Sequence, residues 1–534
     1  DGIDMKAAKE NEVKISYTPD APAPAVAELT IGLMLSLLRK IHVANNGLRR
    51  GKWQRFFGRR LEESTVGIIG AGRIGKKVIK ILEGCLNQKA KIKFRGMQLN
   101  SIRLPTILLF FIVLACTGIG NLLAKQPNIL FIAVDDLNHW VGYTGRNMQC
   151  KTPNIDRLAA MGVSFTNAHC AAPACGPSRA ALWSGIRPHS SGCYLNADDW
   201  KNHIAEGLNL NAHLKKHGYY TAAMGKTYHS SSGGLKNVYA SEWDTYPPTR
   251  RSKNAGRIPR KYEGYHEPLE LDLQDEDLPD WHTVDFCIDQ MKQEREKPFF
   301  VACGLIKPHL PWAVPRKYYE RYPRNTIQLP PHKAGDLDDI PTPGIKMAGP
   351  EKDHAKFQKS GRWKDAIQSY LATIAYVDMN IGRLLDAYDV SPERDNTIIV
   401  LWGDHGWHLG EKQHWRKFTL WEEATRVPFI IATPEMETAG GTSSAPVNLV
   451  SIFPTLVGLI EMENDIDFDG PDLAPLLTNP NASWPHASLI DFGYGNTAVR
   501  DKRWRYIRYS DGSEELYDHK SDPNEWKNLA TDPM

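Results

Sequence analysis

Two pairs of metal-ligating residue types stand where apolar runs of the chain stop. Asp135 and Asp136 follow the run 128–134, and Asp404 and His405 follow the run 397–402. Three carboxylates with one imidazole form a donor set suited to a hard divalent cation, Ca2+ ahead of Zn2+. Taken by itself, Asp135-Asp136 also reads as a helix-capping pair. Open α/β sheets bind ligands beyond the carboxyl ends of their strands, which would bring the two pairs to one place. Between them in sequence lies Cys175-Gly176-Pro177-Ser178-Arg179. Lys226 and His229, Lys307 and His309, and Lys417 occupy loop-like stretches or positions just after a strand. Each alone is an ordinary surface residue. Together they would ring an anionic group in transfer, whose charge spreads over several oxygens. A departing alcohol needs a proton near neutral pH, and His229 and His309 are both candidates to supply it.

Positioning these groups calls for a sheet covered on both faces. The run 128–134 is continuously apolar, as doubly buried strands are, and similar runs recur at 299–304, 397–402 and 427–432. Helical patterns lie between them. Over 366–385, Ile367, Tyr370, Leu371, Ile374, Val377, Ile381 and Leu384 fall on one stripe, which predicts a core helix. After about residue 440 a smaller unit is expected, with a helix near 449–459 and antiparallel strands at 504–509 and 515–518. The pattern predicts an α/β fold: a large mixed, mostly parallel sheet flanked by helices, plus a smaller C-terminal subdomain with an antiparallel sheet. The expected catalytic domain is 125–440 and the subdomain 441–534.

Bulk composition narrows the class. With 42% hydrophobic and 24% charged residues the chain is ordinary for a globular protein. Its net charge of +3 carries no polyanion signal, so no nucleic-acid partner is expected. The eight cysteines show no C-x-x-C pair and no zinc spacing, and are too sparse for a disulfide scaffold. Residues 1 to about 84 are of another kind. Gly70, Gly72 and Gly75 lie between an apolar strand pattern and a helix start, and with 25–39 and Gly51-Lys52-Trp53 they resemble D-2-hydroxyacid dehydrogenases. The acidic residue for the ribose hydroxyls is missing from 85–96, so no functional NAD site is expected. Met97 opens a basic start, an apolar run 104–115 and small residues to Ala124, the pattern of an export signal. Export to the periplasm or the exterior follows, with lipid anchoring at Cys116 as the lesser alternative. The expectation is that Met97 is the native start and that residues 1–96 stem from a fused or misassembled reading frame.

From Pro127 to about Leu529 the sequence resembles the type I sulfatases of the alkaline phosphatase superfamily, and within them the iduronate-2-sulfatase group. The resemblance rests on Cys175-x-Pro177-Ser178-Arg179, Gly225-Lys226-Thr227-Tyr228-His229, Lys307-Pro308-His309-Leu310-Pro311-Trp312, and 403–411 followed by 415–417. It implies an alkaline-phosphatase-like sandwich and a sulfuric ester hydrolase. It implies that Cys175 is oxidised to formylglycine by a formylglycine-generating enzyme, and that Asp135, Asp136, residue 175, Asp404 and His405 bind Ca2+. Arg179, Lys226, His229, His309 and Lys417 would hold the sulfate and the aldehyde hydrate. The implied substrate is a sulfated oligo- or polysaccharide, which the basic loop 249–261 would suit as well as it suits solvent. A phosphate or phosphonate ester hydrolase of the same superfamily, and a polysaccharide-binding protein with an unmodified Cys175, are the alternatives.

Overall fold

The computed structural model describes residues 126–229, 234–249, 273–462, 464 and 466–530. The dehydrogenase-like segment, the export-signal segment with Cys116, and residues 250–261 of the basic loop lie outside them. Strands β1 (Asn128–Val134), β2 (Val163–Phe165), β3 (Tyr220–Gly225), β4 (Phe299–Leu305), β5 (Thr397–Gly403), β6 (Phe429–Ala432) and β7 (Thr442–Ser443) form one sheet in the order β7-β2-β6-β5-β1-β4-β3. β5, β1, β4 and β3 run parallel, and β6 runs antiparallel to both β5 and β2. The mixed, mostly parallel sheet expected from the apolar runs is therefore present.

β1 shows why its sequence is apolar throughout. Leu130, Ile132 and Val134 enter one core, and Ile129, Phe131 and Ala133 enter another on the opposite face, as a period of two requires. The first core is closed by α1 (Pro153–Met161), α3 (Pro279–Lys292) and α4 (Trp363–Asp389). All seven residues of the predicted stripe on α4 are buried there. The second core packs around α2 (Cys175–Ser184) and α5 (Ile452–Leu459), with Phe131 within 5.2–5.6 Å of the Trp183, Phe300 and Trp402 rings.

The chain after residue 440 is shared between two sheets. β7 and α5 belong to the large sheet and its second core. β8 (Ser488–Asp491), β9 (Thr497–Arg500), β10 (Trp504–Arg508) and β11 (Glu514–Asp518) form a separate antiparallel sheet in sequential order. A small apolar cluster joins it to the large unit through Leu420, Trp421, Ile490, Ile507 and Tyr517. A buried ionic network does the same. Arg505 pairs with Glu422 and, at 2.6 Å, with Glu525, while Arg500 lies 3.3 Å from Glu422. Next to Glu422, Glu423 takes Arg146 at 2.7 Å and lies 3.3 Å from Nε2 of the fully buried His139. Breaking one partner out of such a network is costly, since it strands a buried charge.

Burial pushes the His139 imidazole down to about 4 despite the Glu423 carboxylate beside it. The unfolded chain therefore takes up a proton first as pH falls, and His139's share of stability is full above its unfolded pKa near 6.5 and is lost toward pH 4. A displacement of this size corresponds to about 3 kcal/mol. Urea unfolding at several pH values should show the wild type losing on the order of 3 kcal/mol more than His139→Gln between pH 6.5 and 4. Parallel profiles would remove His139 as the titrating group.

Candidate active site

Four parallel strands end at one edge of the sheet, and each delivers part of the site. Val134 of β1 is level with Gly403 of β5 and Leu305 of β4, and Gly304 of β4 with Gly225 of β3. Asp135 and Asp404 thus leave the sheet side by side, Lys226 follows β3, and the 306–311 loop carrying His309 follows β4. Lys226 enters past two glycines that exclude any side chain. A Cβ on Gly225, whose φ is +83°, would lie 2.0 Å from the Gly304 carbonyl, and one on Gly304 would lie 2.5 Å from the Lys226 nitrogen.

Cys175 is the first residue of α2, and Arg179 follows one turn later on the same face. The helix start aims unsatisfied N–H groups and a positive dipole at position 175. Gly176 N–H donates to Asn196 Oδ1 at 2.7 Å, and Ser178 Oγ donates to the Asp404 carbonyl at 2.5 Å, fixing the helix against β5. The Arg179 guanidinium is wholly buried. It donates to Asp404 Oδ2 at 2.9 Å, to Asp135 Oδ1 at 3.3 Å, to the Thr227 carbonyl at 3.1 Å and to the Lys226 carbonyl.

Around Cys175 Sγ stand Lys417 Nζ at 2.9 Å, His405 Nε2 at 3.2 Å, Lys226 Nζ at 3.6 Å and Asp136 Oδ1 at 3.9 Å. Lys226 also reaches Asp135 Oδ2 at 2.5 Å, and Lys417 reaches Asp136 Oδ1 at 2.6 Å. Burial alone would discharge these groups, but their pairing wins. Asp135 is held well below the usual carboxylate range by Lys226, His309 and Arg179, and the Asp135 and Asp136 carboxylates raise Lys226 and Lys417 respectively. Burial instead pushes the Cys175 thiol far up.

Donor atoms of Asp135, Asp136, Cys175 and His405 lie within 4.8 Å of one another, all buried. Asp404 sits against this set, its Oδ1 3.5 Å from His405 Nε2 and accepting the Asp136 N–H at 3.0 Å. Two features fit a cation here. Asp136 Oδ2 is buried with no hydrogen-bond partner among the described residues. His405 Nδ1 donates to the Gly406 carbonyl at 2.9 Å, so the other nitrogen presents a lone pair toward Asp136 Oδ1 at 3.2 Å unless the ring is charged. Burial lowers the His405 pKa and disfavours that charge. A lone pair facing carboxylates is reconciled by a shared cation.

The remaining sequence candidates divide. His309, 36% exposed, donates Nδ1–H to the Leu310 carbonyl at 2.7 Å and places Nε2 3.9 Å from Asp136 Oδ2. His229 reaches the surface and, with His309, Lys417 and Trp407, lines a cavity of about 440 Å³ over Cys175. Lys307 turns away. Its ammonium holds the Pro311 carbonyl and, at 3.4 Å, that of His309, making it a brace for the loop. Sequence reasoning missed Asn196 and gave no positioning role to Ser178, a motif residue, or to Tyr370, read only as core. Tyr370 Oη donates to the Asp136 carbonyl at 2.8 Å and accepts the Asn138 N–H at 3.0 Å. It clamps Asp136 at φ +58°, a left-handed conformation that costs a non-glycine residue about 1 kcal/mol or more.

A helix-borne position 175 facing strand-end carboxylates, with three buried cations and two histidines around a surface cavity, is the layout of an ester hydrolase for an oxyanion. The family model described as Sulfatase matches residues 127–462, and that described as N-sulphoglucosamine sulphohydrolase, C-terminal, matches 410–534. The chain belongs to the sulfatase family and is a sulfuric ester hydrolase. A third model, D-isomer specific 2-hydroxyacid dehydrogenase, NAD binding domain, matches 31–89. A Formosa agariphila protein described as a sulfatase is 38% identical over 430 residues, covering 76% of this chain and 83% of its own. Iduronate 2-sulfatase of Mus musculus is 30% identical over 403 residues, 66% of this chain and 71% of that protein. A solved 2-O GAG sulfatase superposes with a TM-score of 0.60 at 25% identity, covering 77% of this chain and 88% of that one.

Removing the Tyr370 hydroxyl leaves a buried carbonyl and a buried N–H without their partner. Tyr370→Phe should therefore lower unfolding free energy by about 1–3 kcal/mol in urea titrations. An unchanged midpoint would show that the clamp does not hold Asp136.

Proposed function

We propose that this sulfatase removes sulfate from a sulfated saccharide, with Cys175 converted to formylglycine and Ca2+ held by Asp135, Asp136, residue 175, Asp404 and His405. The observation that carries the reading is the convergence of Asp135, Asp136, Cys175 and His405 donor atoms within 4.8 Å, beside Arg179, Lys226 and Lys417. Ca2+ there would acidify the nucleophilic hydroxyl and balance charge on the sulfate oxygens. An oxygen-rich set suits it better than Zn2+.

The chain's own groups divide the work. As a thiol, residue 175 stays protonated at neutral pH, because burial outweighs the two lysines, and a protonated thiol is a poor nucleophile. An aldehyde hydrate at the same position supplies a hydroxyl for attack on sulfur and a second for later release of sulfate. Arg179 cannot swing, since its donors are engaged by Asp404, Asp135 and two carbonyls, so its charge stays fixed beside residue 175. Lys226 and Lys417 flank that position and neutralise the oxygens of the transferring group. His229, pushed down to about 4 by burial and by Lys226 and Arg179, is neutral at pH 7 and serves to bind. His309, with Nε2 beside Asp136, donates the proton to the leaving sugar oxygen.

The saccharide assignment draws on the likeness to iduronate 2-sulfatase, with a uronic acid at the sulfated unit. Maturation then requires a formylglycine-generating enzyme. The proposed mature enzyme starts near Lys125, with 97–124 as an export signal and 1–96 contributing no NAD chemistry. Among the described residues no helix is long and apolar enough to cross a membrane.

Mass spectrometry of the peptide containing residue 175 should show the aldehyde, and the enzyme should prefer aryl sulfate to aryl phosphate esters. Cys175→Ser lacks the second hydroxyl, so it should release one alcohol per enzyme and stop with sulfate on residue 175. Multiple turnover near the wild-type rate would end the aldehyde assignment. His309→Gln should lower kcat about 10²–10⁴-fold on a sugar sulfate and far less on an activated aryl sulfate, which needs no proton to leave. Equal losses on both would move the acid role elsewhere.

A further inference from the structure

Beside the catalytic cavity lies a second one of about 450 Å³, lined in part by Gly349, Lys352, Asp353, Arg416, Phe418 and Phe492. The two share Arg416 and Phe418, so these side chains are at once a wall of the site around Cys175 and a wall of its neighbour. The lining has two characters. Phe418 and Phe492 stack with ring centres 5.8 Å apart and planes 28° from parallel, giving an apolar aromatic flank. Opposite in character are Arg416, whose Nε meets Asp353 Oδ2 at 2.8 Å, and the exposed Lys352, which has no carboxylate partner among the described residues. Two cations against one carboxylate leave one positive charge over the cavity.

The wall between the cavities is built to hold its shape. Arg416 and Phe418 have φ of +80° and +79°, so two non-glycine residues on either side of Lys417 are kept in the left-handed region. Strain of this kind persists only where surrounding contacts enforce it, and it gathers at ligand sites. One enforcing contact is His414, whose ring nitrogens lie 2.8 Å from the Lys417 carbonyl and 2.6 Å from that of Ala348. The ring thereby ties the 347–349 wall of the second cavity to the loop that carries the catalytic lysine.

We propose that this second cavity is a subsite for the sugar unit adjacent to the one that loses sulfate, and that this unit carries its own anionic group, read by Lys352 and Arg416. The inference rests on the saccharide sulfatase reading above. An aromatic flank packs against the C–H face of a pyranose, while cations at the rim take a carboxylate or sulfate. A monosaccharide sulfate would fill only the cavity over Cys175. An acidic oligosaccharide fills both.

The test compares matched disaccharide 2-sulfates whose second unit is neutral, carboxylated or sulfated, with an aryl sulfate as the small reference. Affinity is measured by calorimetry on Cys175→Ala with and without Lys352→Glu, and turnover on the formylglycine enzyme with and without Lys352→Glu. The expected result is about tenfold tighter binding and a matching gain in kcat/KM, mostly through KM, for an acidic over a neutral second unit. Lys352→Glu should abolish that gain, leave aryl sulfate turnover unchanged, and remove its salt dependence. The carboxylated and sulfated arms tell which anion is preferred. Equal affinity for all three disaccharides, or a gain untouched by Lys352→Glu, overturns the subsite. Discrimination in binding without turnover of any sulfated saccharide supports the subsite and overturns the catalytic reading instead.

Discussion

Buried charge balance is the constraint on which this structure depends. Asp135, Asp136 and Asp404 are fully buried at the ends of adjacent strands, and three like charges so close cannot all ionise unaided. Arg179, Lys226 and Lys417, themselves buried, supply three opposite charges, each touching at least one of the carboxylates. The groups come from five stretches of chain, so the whole sheet edge must form before all of them are neutralised. In the proposed cycle a divalent cation would add two positive charges, and a sulfate ester anion with an ionised hydroxyl would add two negative ones. Balance at rest would be restored as balance in action.

Much of this was readable because local pattern and chemistry coincide. β1, β4 and β5 are unbroken apolar runs, and a strand buried on both faces leaves few other readings for such a run. The first polar residues past the ends of β1 and β5 are the site's carboxylates Asp135 and Asp404, while β4 is followed by the loop that carries His309. β3 escaped, since Tyr220-Thr221-Ala222-Ala223-Met224-Gly225 is short and rich in small residues that give little strand signal. Its last glycine was visible only as the prelude to Lys226. The very short strands at the sheet's far edge carry no signal at all.

What stayed hidden was hidden by distance along the chain. Tyr370 lies on the apolar stripe of α4 and reads as core, which it is, yet its hydroxyl bonds to Asp136 across 234 positions. Phenol oxygens buried in a core nearly always find a partner, but periodicity cannot say which. Lys307 shows the reverse error. It stands two residues from His309 and shares its basic character, yet it braces the loop's carbonyls while His309 alone reaches the site. The His139–Glu423–Arg146 cluster likewise joins residues with no sequence pattern in common.

Backbone strain has a distribution that composition cannot show. Among the described residues eight non-glycine residues have positive φ, and of these Asp136, Arg416 and Phe418 lie at the site, with Lys412 and Gln413 in the segment just before Arg416. Asp136 itself carries a site carboxylate, and Arg416 and Phe418 flank Lys417, so these conformations bear directly on where the charged side chains point. The structure holds them with specific buried bonds: Tyr370 on Asp136, and His414 on the Lys417 carbonyl. Neither Tyr370 nor His414 contacts Cys175 itself. Their role is to hold less favourable backbone conformations in place, so that the charged side chains meet the reacting group already oriented.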